Sequence, residues 1–410
     1  MRRVVITGFG LISPIGHTPQ QCVVALREMR SGIKPMPEWS HIEDLQTRVG
    51  GKVTGIDLWS HFPRRRRRTQ GLLGLFSMYA SDQAIARAAL NEAILQSGRT
   101  GIAYGSSTGS SHELEAFCGP LFVNHTTRGL DSSSYLKFMS HTCAANLAAV
   151  YGIRGRVVPI NSACTSASQS IGMAYETIKY GLQDVMIAGG AEELHYATAV
   201  TFDLLMATSW RYNDAPHLTP RPFDVKRDGL VIGEGAGTLI LEDYEHAKAR
   251  GAKIYAEILG YGTNCDGLHI TAPSEAGMRR AMELALEDAK LHPDAIDYVN
   301  LHGTGTELGD ICESQATASL FRKPIPASSQ KSYIGHTLGA CGAIELIFSL
   351  LMMHEGFLAA NRNLDEVDPR CGKLGYIRET MNIRPGTVMS NNFAFGGLNT
   401  SIIIRLPDDE

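Results

Sequence analysis

The sequence predicts an α/β protein, and three observations carry that prediction. Short apolar runs of strand length alternate with longer helix-patterned segments along the whole chain. The 42 glycines cluster in short motifs, where tight turns and close backbone approaches need them. At 410 residues the chain can bury a large core, as two to three average domains or one large duplicated unit.

The first run, Val4–Phe9, ends in a turn at Gly8 and Gly10. Preceded by Met1-Arg2-Arg3, it superficially resembles a secretory signal, but it is too short, broken by Gly8, Gly10 and Pro14, and lacks a cleavage site. A first strand is expected instead. Helical patterning follows over Asp82–Leu95, then strand-like runs at Gly101–Tyr104 and Val157–Ile160, the latter expected to be buried. Helix Ser170–Tyr180 and strands Asp184–Ala188 and Gly237–Glu242 come next. After a helical Glu245–Arg250 the pattern restarts with strand Ile254–Gly260, helix Met278–Lys290 and strand Tyr298–Leu301. Helix Ala343–His354 and strands Thr387–Ser390 and Thr400–Arg405 complete the chain. No run approaches about eighteen continuous apolar residues, so no transmembrane helix is expected.

The order contains a two-fold logic. In the first half one strand leads to Gly105-Ser106-Ser107 and a later one to Cys164 at a helix start; in the second, one leads to His302-Gly303-Thr304 and a later segment to Gly335-His336. Two similar halves, 1–250 and 251–410, would bring their strand ends to one centre, where open α/β sheets bind ligands.

Hydrophobic residues at 44% and charged residues at 20% describe a soluble globular protein, and a net charge of −4 makes no global case for nucleic acid or a bilayer. Eight cysteines without a C-x-x-C pair read as reduced thiols of a cytoplasmic protein, and no metal site is expected.

Cys164 sits between the strand and the helix, in Asn161-Ser162-Ala163-Cys164-Thr165-Ser166. A helix N-terminus favours thiolate over thiol, so a lowered pKa and a nucleophile are expected. A lone buried cysteine is more often inert packing. Three glycine motifs weigh against that here: Val299–Thr306 around His302, Lys331–Ala340 around His336, and Asn391–Asn399 near the C-terminus.

With these motifs the chain resembles a β-ketoacyl-acyl carrier protein synthase, an elongating condensing enzyme of the thiolase fold. The likeness spans the chain and includes Arg3–Gly16, Ala163–Ser166, Gly189–Glu192, Arg221–Asp224, Arg227–Gly229 and Gly233–Gly237. It implies a five-layered α-β-α-β-α fold of two pseudo-symmetric halves, and a homodimer or a related heterodimer. It also implies that no cofactor is bound to the enzyme, the substrates riding on the phosphopantetheine arm of acyl carrier protein. By resemblance Cys164 accepts the acyl chain, while His302 and His336 assist malonyl decarboxylation. Cys164 and Phe395 supply the oxyanion hole, Phe395 also serving as a gate beside Phe393. The resemblance also places Lys331 in the catalytic set, in a buried ion pair with Glu345 that supports the histidines; Asp310 and Glu313 hold the loop, and Thr304 and Thr306 bond the pantetheine. Thr108 falls where a bulky residue often lines the acyl pocket.

Four positions depart from the family pattern: Glu307 for proline, Leu398 for threonine, Ala394 for glycine, and Cys341 for alanine. They leave the trio intact and open the way to a specialised polyene or polyketide pathway. Arg64, Arg65, Arg66, Arg67 and Arg68 form a basic run whose bland reading is a solvated helix start. The resemblance makes it a docking site for acidic carrier protein. A non-catalytic partner subunit would be expected to lack the cysteine. A Cys/His hydrolase would need an orienting carboxylate on its histidine. A thiolase would need a second cysteine near the C-terminal motif, where none lies.

Overall fold

A computed structural model describes residues 1–407. Eleven strands form one sheet: β1 Val4–Ile12, β2 Thr100–Gly105, β3 Val157–Ile160, β4 Val185–Glu192, β5 Gly235–Asp243, β6 Ala256–Cys265, β7 Tyr298–Asn300, β8 Pro326–Ser328, β9 Gly375–Tyr376, β10 Thr387–Ala394 and β11 Leu398–Arg405. Their spatial order is β9-β8-β7-β10-β11-β6-β1-β5-β4-β2-β3. Read from each edge inward and setting aside β9, the halves run β3-β2-β4-β5-β1 and β8-β7-β10-β11-β6, the same order with the same parallel and antiparallel pairings. They join through a short pairing of β1 with β6, Val4 to Ile6 against Ile258 to Ala256.

Six helices complete the layers: α1 Leu72–Arg87, α2 Thr142–Tyr151, α3 Ser166–Lys179, α4 Glu275–Ala289, α5 Glu307–Leu320 and α6 Cys341–Glu355. α1 and α2 cover the first half-sheet from outside, and α4 covers the second with α5 against it. α3 and α6 pack on each other and touch strands of both half-sheets. The result is the expected α-β-α-β-α stack. α6 is apolar nearly all round, as a helix between two sheets must be, whereas α3 is buried with the small polar residues Ser166, Ser168 and Ser170 among its alanines and isoleucines. The stretch Leu338–Glu355 is long and apolar enough to cross a membrane by length and composition, yet 89% of it is buried inside the protein, as a core helix.

The halves also share a packing device. A Cβ on Gly8 or Gly10 of β1 would lie 2.3 Å from the carbonyl oxygens of Ala84 or Ala80 in α1. On Gly260 or Gly262 of β6 it would lie 2.2 or 2.1 Å from those of Ala285 or Ala281 in α4. Paired strand glycines against helix alanines let strand and helix approach backbone to backbone in both halves.

Two expectations are corrected. Asp82–Leu95 is not one helix: α1 ends at Arg87, Ala89 turns left-handed at φ 51°, and a separate turn of helix, Glu92–Leu95, starts under an Asn91 cap. The strand Val157–Ile160 is present but not buried, because it forms the sheet edge and leaves Val157 39% exposed. Short strands β8 and β9 carried no strand pattern of their own.

Candidate active site

Two similar turns meet at the centre of the stack. β3 leads to the 3-10 turn Ala163–Thr165 and α3; β8 leads through Lys331–Ile334 to the 3-10 turn Leu338–Ala340 and α6. Each turn opens on a left-handed residue, Ala163 at φ 49° and Leu338 at φ 44°, at a cost of about 1–2 kcal/mol each. The buried carboxylate of Glu192, at the end of β4, accepts the N–H of Gly339 at 2.9 Å and of Ser107 at 2.8 Å, binding the second turn to the loop after β2.

Cys164, His302 and His336 line one cavity of about 570 Å³. His336 Nε2 lies 3.0 Å from Cys164 Sγ, and the Leu338 N–H donates to His336 Nδ1 at 3.2 Å. The neutral ring therefore carries its proton on Nε2, toward the sulfur. His302 meets His336 edge to face, ring centroids 5.1 Å apart. Its Nδ1 faces Asn392 Nδ2 at 3.5 Å, and a 2.9 Å bond from that nitrogen to Glu345 Oε2 fixes it as the donor. His302 is thereby also an Nε2–H tautomer. Its backbone N–H and that of Gly303 donate to the two oxygens of Glu313 at 2.6 and 2.7 Å.

The sulfur and imidazole donor atoms lie within 4.8 Å of one another, the one such group that could hold a metal among the described residues. The His336 tautomer opposes this, since a cation would have to displace the Nε2–H proton turned toward the sulfur.

Burial pushes both histidines well below their ordinary pKa, with Lys331 adding to the effect, so both are neutral at pH 7. Burial also pushes Cys164 up to about 12, against the opposing charge of Lys331. The expectation of a lowered cysteine pKa is thus corrected: loss of water outweighs the helix terminus. Lys331 Nζ and Glu345 Oε1 lie 2.6 Å apart, both wholly buried. Burial alone would pull Lys331 down, but Glu345 and Cys341 outweigh it and raise the ammonium. Burial raises Glu345 against the pull of Lys331. We read the pair as charged, because the lysine on one oxygen and the Asn392 amide on the other suit a carboxylate.

Burial raises Asp310 to about 6, although it accepts the N–H groups of Phe223 at 2.7 Å and Gly305 at 3.1 Å and lies 3.6 Å from Arg227. Thr304 and Thr306 line the cavity, their hydroxyls 2.9 Å apart. Phe393 packs at its wall near His302. Phe395 stands at the mouth, 37% exposed and stacked on Phe202 with centroids 5.7 Å apart.

The structure does not bring every predicted residue to this place. Thr108 is exposed and outside the cavity lining, its hydroxyl 3.2 Å from Glu192 Oε1. The arginine run also lies outside that lining, and it divides. Arg66 bonds both oxygens of Asp82 at 2.8 Å, and Arg67 donates to the Phe62 carbonyl. Arg64, Arg65 and Arg68 point to solvent without an ion pair among the described residues. Glu307 heads α5 and pairs with Arg370 on the surface. Asn392 and Glu192 carry roles the sequence reading did not assign, although both lie in its glycine motifs.

Comparison with known proteins agrees with this geometry. The model of the β-ketoacyl synthase N-terminal domain matches residues 1–247, and that of the C-terminal domain matches residues 255–365. The 3-oxoacyl-acyl-carrier-protein synthase 1 of Haemophilus influenzae is 39% identical over 407 residues, covering 99% of each chain. The enzyme of the same name from Escherichia coli is 39% identical over 414 residues, again covering 99% of each. A β-ketoacyl synthase structure from Burkholderia phymatum superposes with a TM-score of 0.96 at 50% identity over 100% of both chains. A type II polyketide ketosynthase solved with its acyl-carrier protein superposes at 0.91 with 29% identity, over 99% of this chain and 100% of that one. Matched over nearly its whole length, with two strand-end histidines converging on a strand-end cysteine, the chain belongs to the β-ketoacyl synthase family.

Proposed function

We propose that this chain performs a decarboxylative Claisen condensation that extends a carrier-bound acyl chain by two carbons. The observation that carries the reading is a pair of neutral imidazoles, His302 and His336, in one cavity with Cys164 and with an N–H on each Nε2. Cys164 sulfur attacks the acyl thioester, and the carrier thiol leaves. A malonyl thioester then loses CO₂, its oxygen taking up negative charge where the two N–H groups are already aimed. The enolate carbon attacks the acyl carbonyl, the tetrahedral oxygen resting on the N–H groups of Cys164 and Phe395. Collapse releases Cys164 and the β-ketoacyl carrier. Thr304 and Thr306 bond the pantetheine, and Lys331 with Glu345 supports the histidines through Asn392.

In this reading residues 1–250 carry the nucleophile and 251–410 the histidines, the last three residues of that range lying outside the described ones. Acyl carrier protein delivers both substrates on its own arm, so the enzyme needs no resident cofactor. Arg64, Arg65 and Arg68 are the part of the basic run free to meet an acidic carrier. The exposed edge strand β3, with an open row of backbone groups, suits pairing with a second copy or a related subunit. Eight unpaired cysteines suit a reducing cytoplasmic setting.

A second reading, a ketosynthase of a specialised polyketide or aryl polyene pathway, is favoured by Ala394. Its methyl group packs against the apolar cluster around Cys164 and Phe202, directly before the gate. Intact-mass detection of acyl adducts on Cys164, against saturated, unsaturated and polyene acyl carriers, tests both readings. Saturated adducts alone favour fatty-acid elongation, polyene adducts favour the specialised pathway, and no adduct on Cys164 rejects both.

A further inference from the structure

The site holds a second buried nucleophile that condensation does not use. Cys341, the first residue of α6, places its Sγ 3.2 Å from the main-chain carbonyl oxygen of Cys164. The Asn392 amide reaches the same sulfur at 3.5 Å. The turns bearing the two cysteines, Ala163–Thr165 and Leu338–Ala340 with the start of α6, pack on each other. The two thiols differ in access. Cys164 lines the cavity, whereas Cys341 is wholly buried and absent from the lining. A small oxidant entering the cavity therefore meets Cys164 first, with Cys341 on its dry side. Lys331 acts electrostatically on both, favouring thiolate against the burial that opposes it.

We propose that Cys341 is a resolving thiol for Cys164, so that the unacylated enzyme answers a peroxide by closing a reversible disulfide between them. In the first step Cys164 thiolate attacks one peroxide oxygen; the O–O bond breaks and hydroxide leaves. The sulfur is oxidised by two electrons to a sulfenic acid, and the peroxide is reduced. In the second step Cys341 sulfur gives up its proton and attacks the Cys164 sulfur. The S–O bond breaks, water leaves with that proton, and the S–S bond forms. Two thiols and one hydrogen peroxide yield one disulfide and two waters. Without a resolving thiol the sulfenic acid is open to further oxidation, and the sulfinic acid is not recovered by dithiothreitol. A disulfide needs Cβ atoms about 3.5–4.5 Å apart, and the experiment reads whether this contact closes that far.

The test treats the full-length wild-type protein, Cys341→Ala and Cys341→Ser with hydrogen peroxide, blocks free thiols by alkylation, and maps peptides by mass. The expected wild-type product is a peptide pair joined through Cys164 and Cys341, lighter by two hydrogens, with activity restored by dithiothreitol relative to the untreated sample. Both variants should form no such pair, should accumulate sulfinic acid on Cys164, and should not regain their own starting activity. Wild type that shows sulfinic Cys164 without the joined pair overturns the proposal, as does a variant that recovers as fully as wild type. The joined peptide is read without any condensation assay, so this outcome is independent of the proposed function.

Discussion

His336 gives its Nε2 to the sulfur of Cys164 at 3.0 Å while its Nδ1 is occupied by the Leu338 N–H. This polarity is the reverse of a Cys/His hydrolase, where a carboxylate holds Nδ1–H and leaves Nε2 free to take a proton. Here the ring is a donor. It can stabilise charge on a sulfur or a thioester oxygen, which the proposed decarboxylation requires.

Replacing Cys164 by alanine should abolish condensation while malonyl-carrier decarboxylation survives, because the two N–H donors remain. His302→Ala should lose both activities, decarboxylation falling by about 10²–10³ as for one lost oxyanion donor. Release of CO₂ and formation of β-ketoacyl carrier, assayed separately, check this. Product from Cys164→Ala would overturn the assignment.

With Cys164 raised to about 12 by burial, the resting thiol should be slow to alkylate at neutral pH. Its iodoacetamide rate should climb with pH, by about tenfold per unit between about pH 7 and 9, as the thiolate fraction grows. Lys331→Met should slow alkylation further by removing the charge that favours thiolate. A plateau reached below pH 8 would mean that the thiol is activated in the resting state.

Breaking the Lys331–Glu345 pair from one side should cost about 3–5 kcal/mol, since it strands a buried charge. Denaturant unfolding of Glu345→Ala should show this loss. Glu345→Gln keeps the shape and should still lower decarboxylation, because the amide that fixes the His302 tautomer loses its anchor.

The arginine run should separate in two assays. Alanine at Arg64, Arg65 and Arg68 should weaken carrier binding at low salt, with the difference fading as ionic strength rises. Arg66→Ala should instead lower stability by about 1 kcal/mol through its half-buried bond to Asp82. Unchanged carrier affinity in the triple variant at low salt would remove the docking role.

Ala394→Gly should free the Phe395 gate and widen the range of acyl chains loaded on Cys164. The adduct panel measures this, and an unchanged range would mean that the methyl group does not limit the gate.

Layer order and the meeting of Cys164, His302 and His336 in one cavity were legible because both depend on local signals: apolar runs ending in glycine, and histidines placed just after them. The charge state of Cys164 was not. A helix terminus is visible in sequence, whereas the depth of burial that reverses its effect arises from segments distant in sequence, such as those bearing His336 and Leu194, packing around it. The inward turn of Arg66 is hidden for a related reason, since its partner Asp82 lies sixteen residues on and a run of like charges does not show which member turns inward. Thr108 was placed by motif alone, and its hydroxyl follows buried Glu192 away from the cavity lining.

At Gly342, between the central helices, an added methyl carbon would lie 2.8 Å from both the Ser168 N–H and the Asn392 side-chain oxygen. The distance from sulfur to imidazole is therefore calibrated by two helices in backbone contact, one from each half of the chain. A slip too slight to unfold the protein would still carry His336 away from Cys164. Turnover is thus a finer gauge of how truly the halves have seated than any melting curve.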